Sequence, residues 1–255
     1  MRVKARGRED GHKRGAQHEE DKSGLPIVSF DYQTLNEDTK KEQNIIIGKD
    51  ESTGNVIVHY VICKGLNGEL VIRRIDKDME EMGCAHAIVK TDGEPGIVAV
   101  QNRLQALRDG RTIPRNPPAY DPAANGPCQK AVQDVTAHQR TIKLALESRL
   151  GVTIDEDLPI MQWALEHAVF VMNKYSVGHD GMTPYERLAG RKWRQALVEL
   201  GEIVLAKLTP QRRQQGKAKK QKRKFAARSI EGVRLGQIAR TGEHMVIRPS
   251  GTQNA

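Results

Sequence analysis

The first half of the chain alternates between short apolar runs and polar segments that contain turn residues. Residues 27–32, 44–48 and 56–63 are three apolar runs, and the segment 50–54 between the last two has the composition of a turn. This pattern predicts three strands in an antiparallel meander. Residues 66–83 then carry apolar side chains at intervals near 3.6 and end on a glycine, which is typical of a helix.

Strand and helix patterns alternate after this helix. Residues 87–91 lead from an apolar run to Asp92, residues 97–107 have helical periodicity, and residues 112–114 fit a short edge strand. A meander followed by βαβ units predicts an α/β protein with a mixed five-stranded sheet flanked by helices, which is the plan of the ribonuclease-H-like fold. Further helices are predicted at 129–150, 159–175 and 184–188.

The chain divides into three regions. Residues 1–25 are charged and lack periodicity, so we expect a disordered tail there. Residues 26–195 hold the α/β pattern. Residues 196–255 contain short apolar runs typical of strands, which predicts a small β module with the basic segment 210–228 as a loop within it.

The positive charge is concentrated in this basic segment. The net charge of the chain is +9, and residues 210–228 contain nine basic residues and no acid, so they account for the whole excess. Such a run favours binding to polyanions, nucleic acid first, although a solvated linker or a nuclear-import signal has the same composition. The basic residues are Arg212, Arg213, Lys217, Lys219, Lys220, Lys222, Arg223, Lys224 and Arg228.

Composition argues against several other classes of protein. The three cysteines are isolated, which supports neither a disulfide framework nor a cysteine zinc site. Aromatic residues make up only 4%, too few for a platform that stacks single-stranded bases. The charged N-terminal stretch has no apolar signal region, and no apolar run is long enough to span a membrane.

Two carboxylates follow apolar runs that lie far apart in the sequence. Asp31 lies at the end of the first predicted strand, and Asp92 follows the strand at 87–91. Ligands collect at the carboxyl edge of open α/β sheets, so two acids there suggest a metal site. The alternative interpretation is that both residues cap strand ends in a non-catalytic fold.

Four segments, taken in their order and spacing, resemble the catalytic domain of retroelement integrases, most of all that of copia-type retrotransposon polyproteins. The resemblance covers about residues 26–195 and continues faintly to the end of the chain. The segments are 28–32 (VSFDY), 89–95 (VKTDGEP), 125–126 (NG) followed by 131–133 (AVQ), and 182–190 (MTPYERLAG).

The resemblance implies a DNA-integrating enzyme that performs polynucleotidyl transfer with two divalent cations, Mg²⁺ or Mn²⁺, held by two aspartates and a glutamate. Asp31 matches the first acid and Asp92 the second. The third acid is expected four residues after the asparagine of the NG pair, at Gln129. Glutamine keeps a carbonyl oxygen but has no negative charge, so we expect weakened metal binding and weak or absent strand transfer. A scaffold that has lost catalysis and binds nucleic acid or protein is the alternative.

Three other acids are considered for the missing carboxylate. Glu94 needs a favourable turn after Asp92, and Asp121 lies in a loop predicted to be mobile. Asp134 lies five residues along the helix from Gln129 and therefore on a different face. The paired His and Cys residues of the zinc domain that integrases carry are not found in residues 1–25.

The resemblance also implies partners. Lys90, Lys130 and Arg140 are candidate phosphate contacts by position, with a solvated surface charge as the alternative for each. The apolar helix 159–175 is either buried or the interface of a homo-oligomer. A retroelement protein without a secretory signal is expected in the nucleus or cytoplasm of a eukaryotic host.

Overall fold

The computed structural model describes residues 23–35, 43–61, 64–65, 69–116, 125–207, 229–237, 243–248 and 251–254. The charged tail before residue 23 and the whole basic segment 210–228 lie outside this part of the chain. In chain order the elements are β1 (Ile27–Leu35), β2 (Gln43–Asp50), β3 (Val56–Val61), α1 (Glu69–Glu81), β4 (Ala87–Lys90), α2 (Pro95–Leu107), β5 (Thr112–Arg115), α3 (Gly126–Leu150), α4 (Ile160–Tyr175), α5 (Pro184–Ala189), β6 (Ile203–Lys207), β7 (Ser229–Gln237), β8 (His244–Arg248) and β9 (Gly251–Asn254).

The first five strands form one mixed sheet in the order β3-β2-β1-β4-β5. β1, β2 and β3 make the predicted antiparallel meander, and β4 and β5 join it in parallel. Helices α1 and α2 provide the crossovers that parallel pairing requires. The predicted five-stranded ribonuclease-H-like sheet is therefore confirmed.

The alternation of side chains along β1 divides the interior into two layers. Val28, Phe30 and Tyr32 point to one face and pack against α1 and α2. Ser29 and Asp31, which alternate with them, belong to the opposite face. There, apolar residues of β2 pack against α3 and α4, namely Ile45 and Ile47 with Cys128, Val132, Val135, Leu165 and Val169.

Helix α4 lies between the five-stranded sheet and the C-terminal strands. Leu165 and Ala168 are fully buried, and the ring of Trp163 lies against Gly236 of β7. The apolar side chains of this helix are therefore largely covered within the chain. Of the two interpretations of residues 159–175, burial is the one that the structure supports.

The four C-terminal strands form a second, antiparallel sheet in the order β6-β7-β8-β9. The small β module expected from the sequence is thus present, although its last strand, β9, was not predicted because Gly251–Asn254 has no apolar alternation. Arg234, Leu235 and Val246 of this sheet are buried. In the described part of the chain, no helix is both long and apolar enough to cross a membrane.

Candidate active site

Asp31 lies in the middle of β1 rather than at its end, where the sequence pattern put it. β1 stays paired with β2 as far as Leu35, opposite Gln43, whereas its parallel pairing with β4 ends at Ser29. β1 therefore extends beyond the end of β4. Asp31 is half-buried in this extension, on the face that α3 covers.

The register of the parallel strands β1 and β4 brings Asp92 close to Asp31. Ser29 is paired with Lys90, and two further residues along each chain lead to the two aspartates. The Asp92 carboxylate accepts a hydrogen bond of 3.0 Å from the backbone N–H of Glu94, and Gly93 between them has a φ of 87°, a conformation that favours glycine. This turn ends β4, starts α2 and leaves Asp92 exposed to solvent.

The electrostatics of Asp31 reflect its closeness to other acids. Burial raises the pKa of this carboxyl to about 6, and the negative charges of Asp92 and Glu94 act in the same direction. The backbone N–H of Tyr32 and the Lys64 ammonium lower this pKa. A carboxylate in such surroundings binds a proton or a cation more readily than an exposed aspartate does.

The first turn of α3 lies over β1 and β2 at the level of Asp31. Asn125, which is 2% exposed, donates a 3.1 Å hydrogen bond from Nδ2 to the carbonyl of Phe30. Cys128 Sγ lies 3.5 Å from the carbonyl of Ile47, the residue paired with Asp31. Burial, and then the nearby negative charge of Asp31, raise the pKa of the Cys128 thiol well above its usual value.

Gln129 lies in this same first turn, with an exposed side chain. The helix begins at Gly126, three residues before the predicted start, because the NG pair itself makes the helix terminus. Asp31, Asp92 and the turn that bears Gln129 thus come from three elements that meet at one edge of the sheet.

The other acids that were considered for the third position are engaged elsewhere or lie outside the described residues. Glu94 forms an ion pair of 3.4 Å with Lys64, and Asp134 forms one of 2.6 Å with Lys130. Asp121 is outside the described residues. Among the residues that are described, no group of three or more His, Cys, Asp or Glu side chains is arranged to hold a metal ion.

This donor set fits one divalent cation better than two. Mg²⁺ is commonly held by one or two carboxylates with water in its remaining positions, and Asp31 with Asp92 meets that need. A bound cation would lower the pKa of Asp31, which burial and the neighbouring acids raise. A second cation would need a third carboxylate, and in the described part of the chain none is arranged with these two to hold a metal ion.

A buried polar network lies directly below the two aspartates and was not predicted from the sequence. Lys90 forms an ion pair of 3.3 Å with Glu51, and the Ser29 hydroxyl also donates to that carboxylate. The side chains of Lys90 and Glu51 are only 17% and 8% exposed. Glu51 lies in a segment whose composition indicates only a turn, so no local signal reveals this pairing.

Helix α3 presents a different group of cations to solvent. Lys130 is 63% exposed and pairs with Asp134 one turn away. Arg140 is exposed, forms no ion pair with the other described residues, and lines a cavity of about 250 Å³ together with Lys143, Gln33 and other residues. The predicted cations of the basic segment lie outside the described residues.

Comparison with solved structures identifies proteins of similar fold. A chain of the simian T-cell lymphotropic virus intasome in complex with the PP2A regulatory subunit B56 gamma is 15% identical, with a TM-score of 0.51, and the match covers 90% of this chain and 76% of that one. The chain thus has an integrase-like fold. At this identity the likeness is one of fold.

Two catalytic core domains are also similar, at lower TM-scores. The core domain of BIV integrase is 18% identical with a TM-score of 0.46, and the match covers 64% of this chain and 93% of that one. The core domain of HTLV-2 integrase in complex with magnesium is 14% identical with a TM-score of 0.48, and the match covers 64% and 97%. No protein-family model and no curated protein sequence matches the chain.

Proposed function

We propose that this protein is an integrase-like DNA-binding protein whose polynucleotidyl transfer site is impaired. The observation that carries the proposal is the meeting of Asp31, Asp92 and the first turn of α3 at one sheet edge, with Gln129 where the resemblance to integrases requires a glutamate. The integrase-like fold supports the same assignment. The finer origin that we propose is a copia-type retroelement.

Asp31 and Asp92 are the residues that would hold a divalent cation. Such cations activate the attacking oxygen and stabilise the leaving oxygen of a phosphoryl group. The backbone of Asp31 is fixed because β1 continues on both sides of it, and Asp92 is fixed by the turn in which it accepts a hydrogen bond. Both carboxylates therefore need little rearrangement to bind a cation. Gln129 offers a neutral oxygen, which weakens the attraction for a second cation.

A Mn²⁺ titration followed by calorimetry tests the metal site. We expect weak binding at a single site in the wild type, loss of that binding in Asp92→Asn, and binding tightened at least about tenfold, or a second site, in Gln129→Glu. Glu94→Gln is the matched control, because it removes a nearby charge that the proposal does not use. Unchanged binding in both Asp92→Asn and Gln129→Glu would contradict the proposal.

Strand transfer tests the impairment directly. Gln129→Glu is expected to join DNA ends in Mn²⁺ or Mg²⁺ better than the wild type, because it restores the missing negative charge. If the wild type joins DNA ends as well as this variant, the site is not impaired.

A non-catalytic module that binds nucleic acid or protein is the second candidate. The neutral side chain of Gln129 favours it, as does the ion pair that engages Glu94. The Gln129→Glu variant separates the two candidates. An impaired enzyme regains activity with the carboxylate, whereas a module whose site has diverged further binds DNA in the same way with either residue and joins no ends.

We propose that DNA is held by exposed cations of α3 and by the basic segment. Arg140 supports this role because it is exposed and forms no ion pair with other described residues, whereas the Lys90 ammonium is engaged by Glu51. Lys90 would then act by shaping the strand end rather than by touching phosphate. DNA binding agrees with a location in the nucleus, and the basic segment would contribute to nuclear import.

The salt dependence of DNA affinity tests these contacts. Each phosphate contact contributes about −0.9 to the slope of log affinity against log salt for duplex DNA. We expect Arg140→Ala to reduce the slope by about one, deletion of 211–224 to reduce it by more, and Lys90→Ala to leave it unchanged. Equal slopes for the wild type and the deletion would contradict a role for the basic segment.

A further inference from the structure

Lys64 is a cation at the candidate site that the sequence patterns did not single out. It lies between β3 and α1 in the chain, and its ammonium is 3.4 Å from the Glu94 carboxylate. Glu94 belongs to the turn that fixes Asp92, because its backbone N–H donates a hydrogen bond to the Asp92 carboxylate. Lys64 therefore brings a positive charge to the sheet edge at which the two aspartates lie.

The backbone beside Lys64 is anchored to the elements that carry the aspartates. The N–H of Gly65 donates a hydrogen bond of 3.1 Å to the hydroxyl oxygen of Tyr32, the residue that follows Asp31 in β1. Lys64 and Gly65 also pack closely against the first turn of α2, where a side chain at Gly96 would contact both of them. Contacts with β1 and α2 thus place Lys64 at the site.

The charges at this edge balance for one divalent cation. The Lys64 ammonium offsets the charge of Glu94, with which it pairs. It also acts on Asp31, whose pKa is raised by burial and by the neighbouring acids and lowered by Lys64. Asp31 and Asp92 then leave two negative charges, which a single divalent cation neutralises. A second divalent cation at this edge would be repelled by the ammonium.

The ion pair between Lys64 and Glu94 can open at little cost. The two side chains are 39% and 41% exposed, and exposed ion pairs contribute little to stability. Lys90, in contrast, is held by Glu51 in a pair that is mostly buried, and Lys130 pairs with an acid of its own helix. Of these three lysines, Lys64 is the one best placed to exchange its carboxylate partner for a phosphate beside the aspartates.

We propose that Lys64 is a phosphate-binding residue of this site and supplies the positive charge that a second divalent cation would otherwise provide. In the free protein the ammonium pairs with Glu94. Once Asp31 and Asp92 hold a cation, the ammonium is repelled from them and pairs with a phosphate of the DNA. The inference rests on the proposed metal site and adds a residue outside the expected pattern of two aspartates and a glutamate.

Two affinities of the full, nuclease-treated chain test this role, because they are expected to change in opposite directions. Lys64→Gln should bind Mn²⁺ at least about threefold more tightly than the wild type, since it removes a repelling charge. In saturating Mn²⁺ the same variant should bind a DNA duplex more weakly, with a slope of log affinity against log salt reduced by about one, because one phosphate contact is lost. Calorimetry measures the first affinity and fluorescence anisotropy the second.

Two control variants separate the charge of Lys64 from its packing. Lys64→Arg keeps the positive charge and should stay close to the wild type in both measurements. Lys192→Gln is the matched control, since it removes the charge of an exposed lysine that pairs with Glu186 of α5, and it should change neither affinity. Circular dichroism confirms that every variant remains folded.

The outcomes distinguish this inference from the proposed function. A Lys64→Gln variant that changes neither affinity, or that lowers both, overturns the role of Lys64. If Asp92→Asn abolishes Mn²⁺ binding while Lys64→Gln has no effect, only the role of Lys64 is wrong. If Asp92→Asn leaves Mn²⁺ binding unchanged, the proposed metal site is wrong, and the inference fails with it.

Discussion

The two sheets bury a cationic side chain in contrasting ways. Below the candidate site, the Lys90 ammonium is paired with Glu51, and a serine hydroxyl completes the network. In the second sheet, Arg234 is 1% exposed and donates to the carbonyl of Val198 and to His244, while its Nη2 has no hydrogen-bond partner in the described structure. A buried charge is costly unless it is paired, so the first arrangement is satisfied and the second is not.

The sheets also differ in how much apolar surface they cover. The five-stranded sheet has helices on both faces, and its central residues are almost inaccessible. The second sheet has one face against α4 and one face in solvent. The first sheet therefore holds the candidate site between two layers of helices, whereas the second leaves apolar side chains of one face in contact with solvent.

The largest expected effect comes from matched leucine substitutions in the two regions. Leu165→Ala removes a fully buried side chain between α4 and the sheet and should lower the free energy of unfolding by about 2–5 kcal/mol. Leu205→Ala, in a residue that is 77% exposed, should lower it by no more than about 0.5 kcal/mol in dilute protein. Urea denaturation measures both. Similar losses would show that the face of the second sheet that bears Leu205 is packed within the folded chain.

The next effect concerns the paired cation. Lys90→Met should lower the free energy of unfolding by about 3 kcal/mol, because Glu51 is then left buried without its partner. The double variant Lys90→Met with Glu51→Gln should recover part of that loss, since no charge remains unpaired. Thermal or urea denaturation of the double-mutant cycle measures this coupling, and additive losses would contradict it.

A pH effect is expected at the junction of α4 with the second sheet. Burial, assisted by the charge of Arg234, lowers the pKa of His167 to about 4. Since the unfolded chain binds this proton near pH 6.5, the unfolded state holds more protons between the two values. Stability should therefore fall by about 2–3 kcal/mol as pH drops from about 6.5 to about 4.

The His167→Gln variant provides the comparison for this pH effect. Between the same two pH values, the stability of this variant should fall much less than that of the wild type, because the variant has no imidazole at this position. Denaturation at a series of pH values shows the difference between the two proteins. Parallel curves for both would mean that His167 does not titrate as described.

The smallest effect is expected for the unpaired cation. Arg234→Met keeps much of the side-chain volume and removes a buried charge that forms no ion pair with the described residues, so stability should change by less than about 1 kcal/mol. The pKa of His167 should rise toward its usual value, which a titration followed by NMR can detect. A large loss of stability would instead show that the hydrogen bonds of Arg234 outweigh the cost of burying it.

Local patterns predicted most of the fold. The apolar runs of β1, β2 and β3 and the helical periodicity of α1, α2 and α3 were strong enough to indicate each element and the mixed sheet. The prediction missed β9 and started α3 three residues late, because Gly251–Asn254 lacks alternation and the helix begins at a glycine and a proline. Both errors occur where side-chain hydrophobicity carries no signal.

Residue identity and local periodicity alone establish which acids are present, that the expected third acidic position holds Gln129, and which apolar runs become strands. Three features become visible only in the folded chain: Asp31 lies inside β1 beyond the end of β4, Lys90 pairs with Glu51, and one face of the second sheet is exposed. Those features arise from strand register and from contacts between residues that are distant in sequence. No local pattern records such contacts, since they form only when the packed elements bring the side chains together.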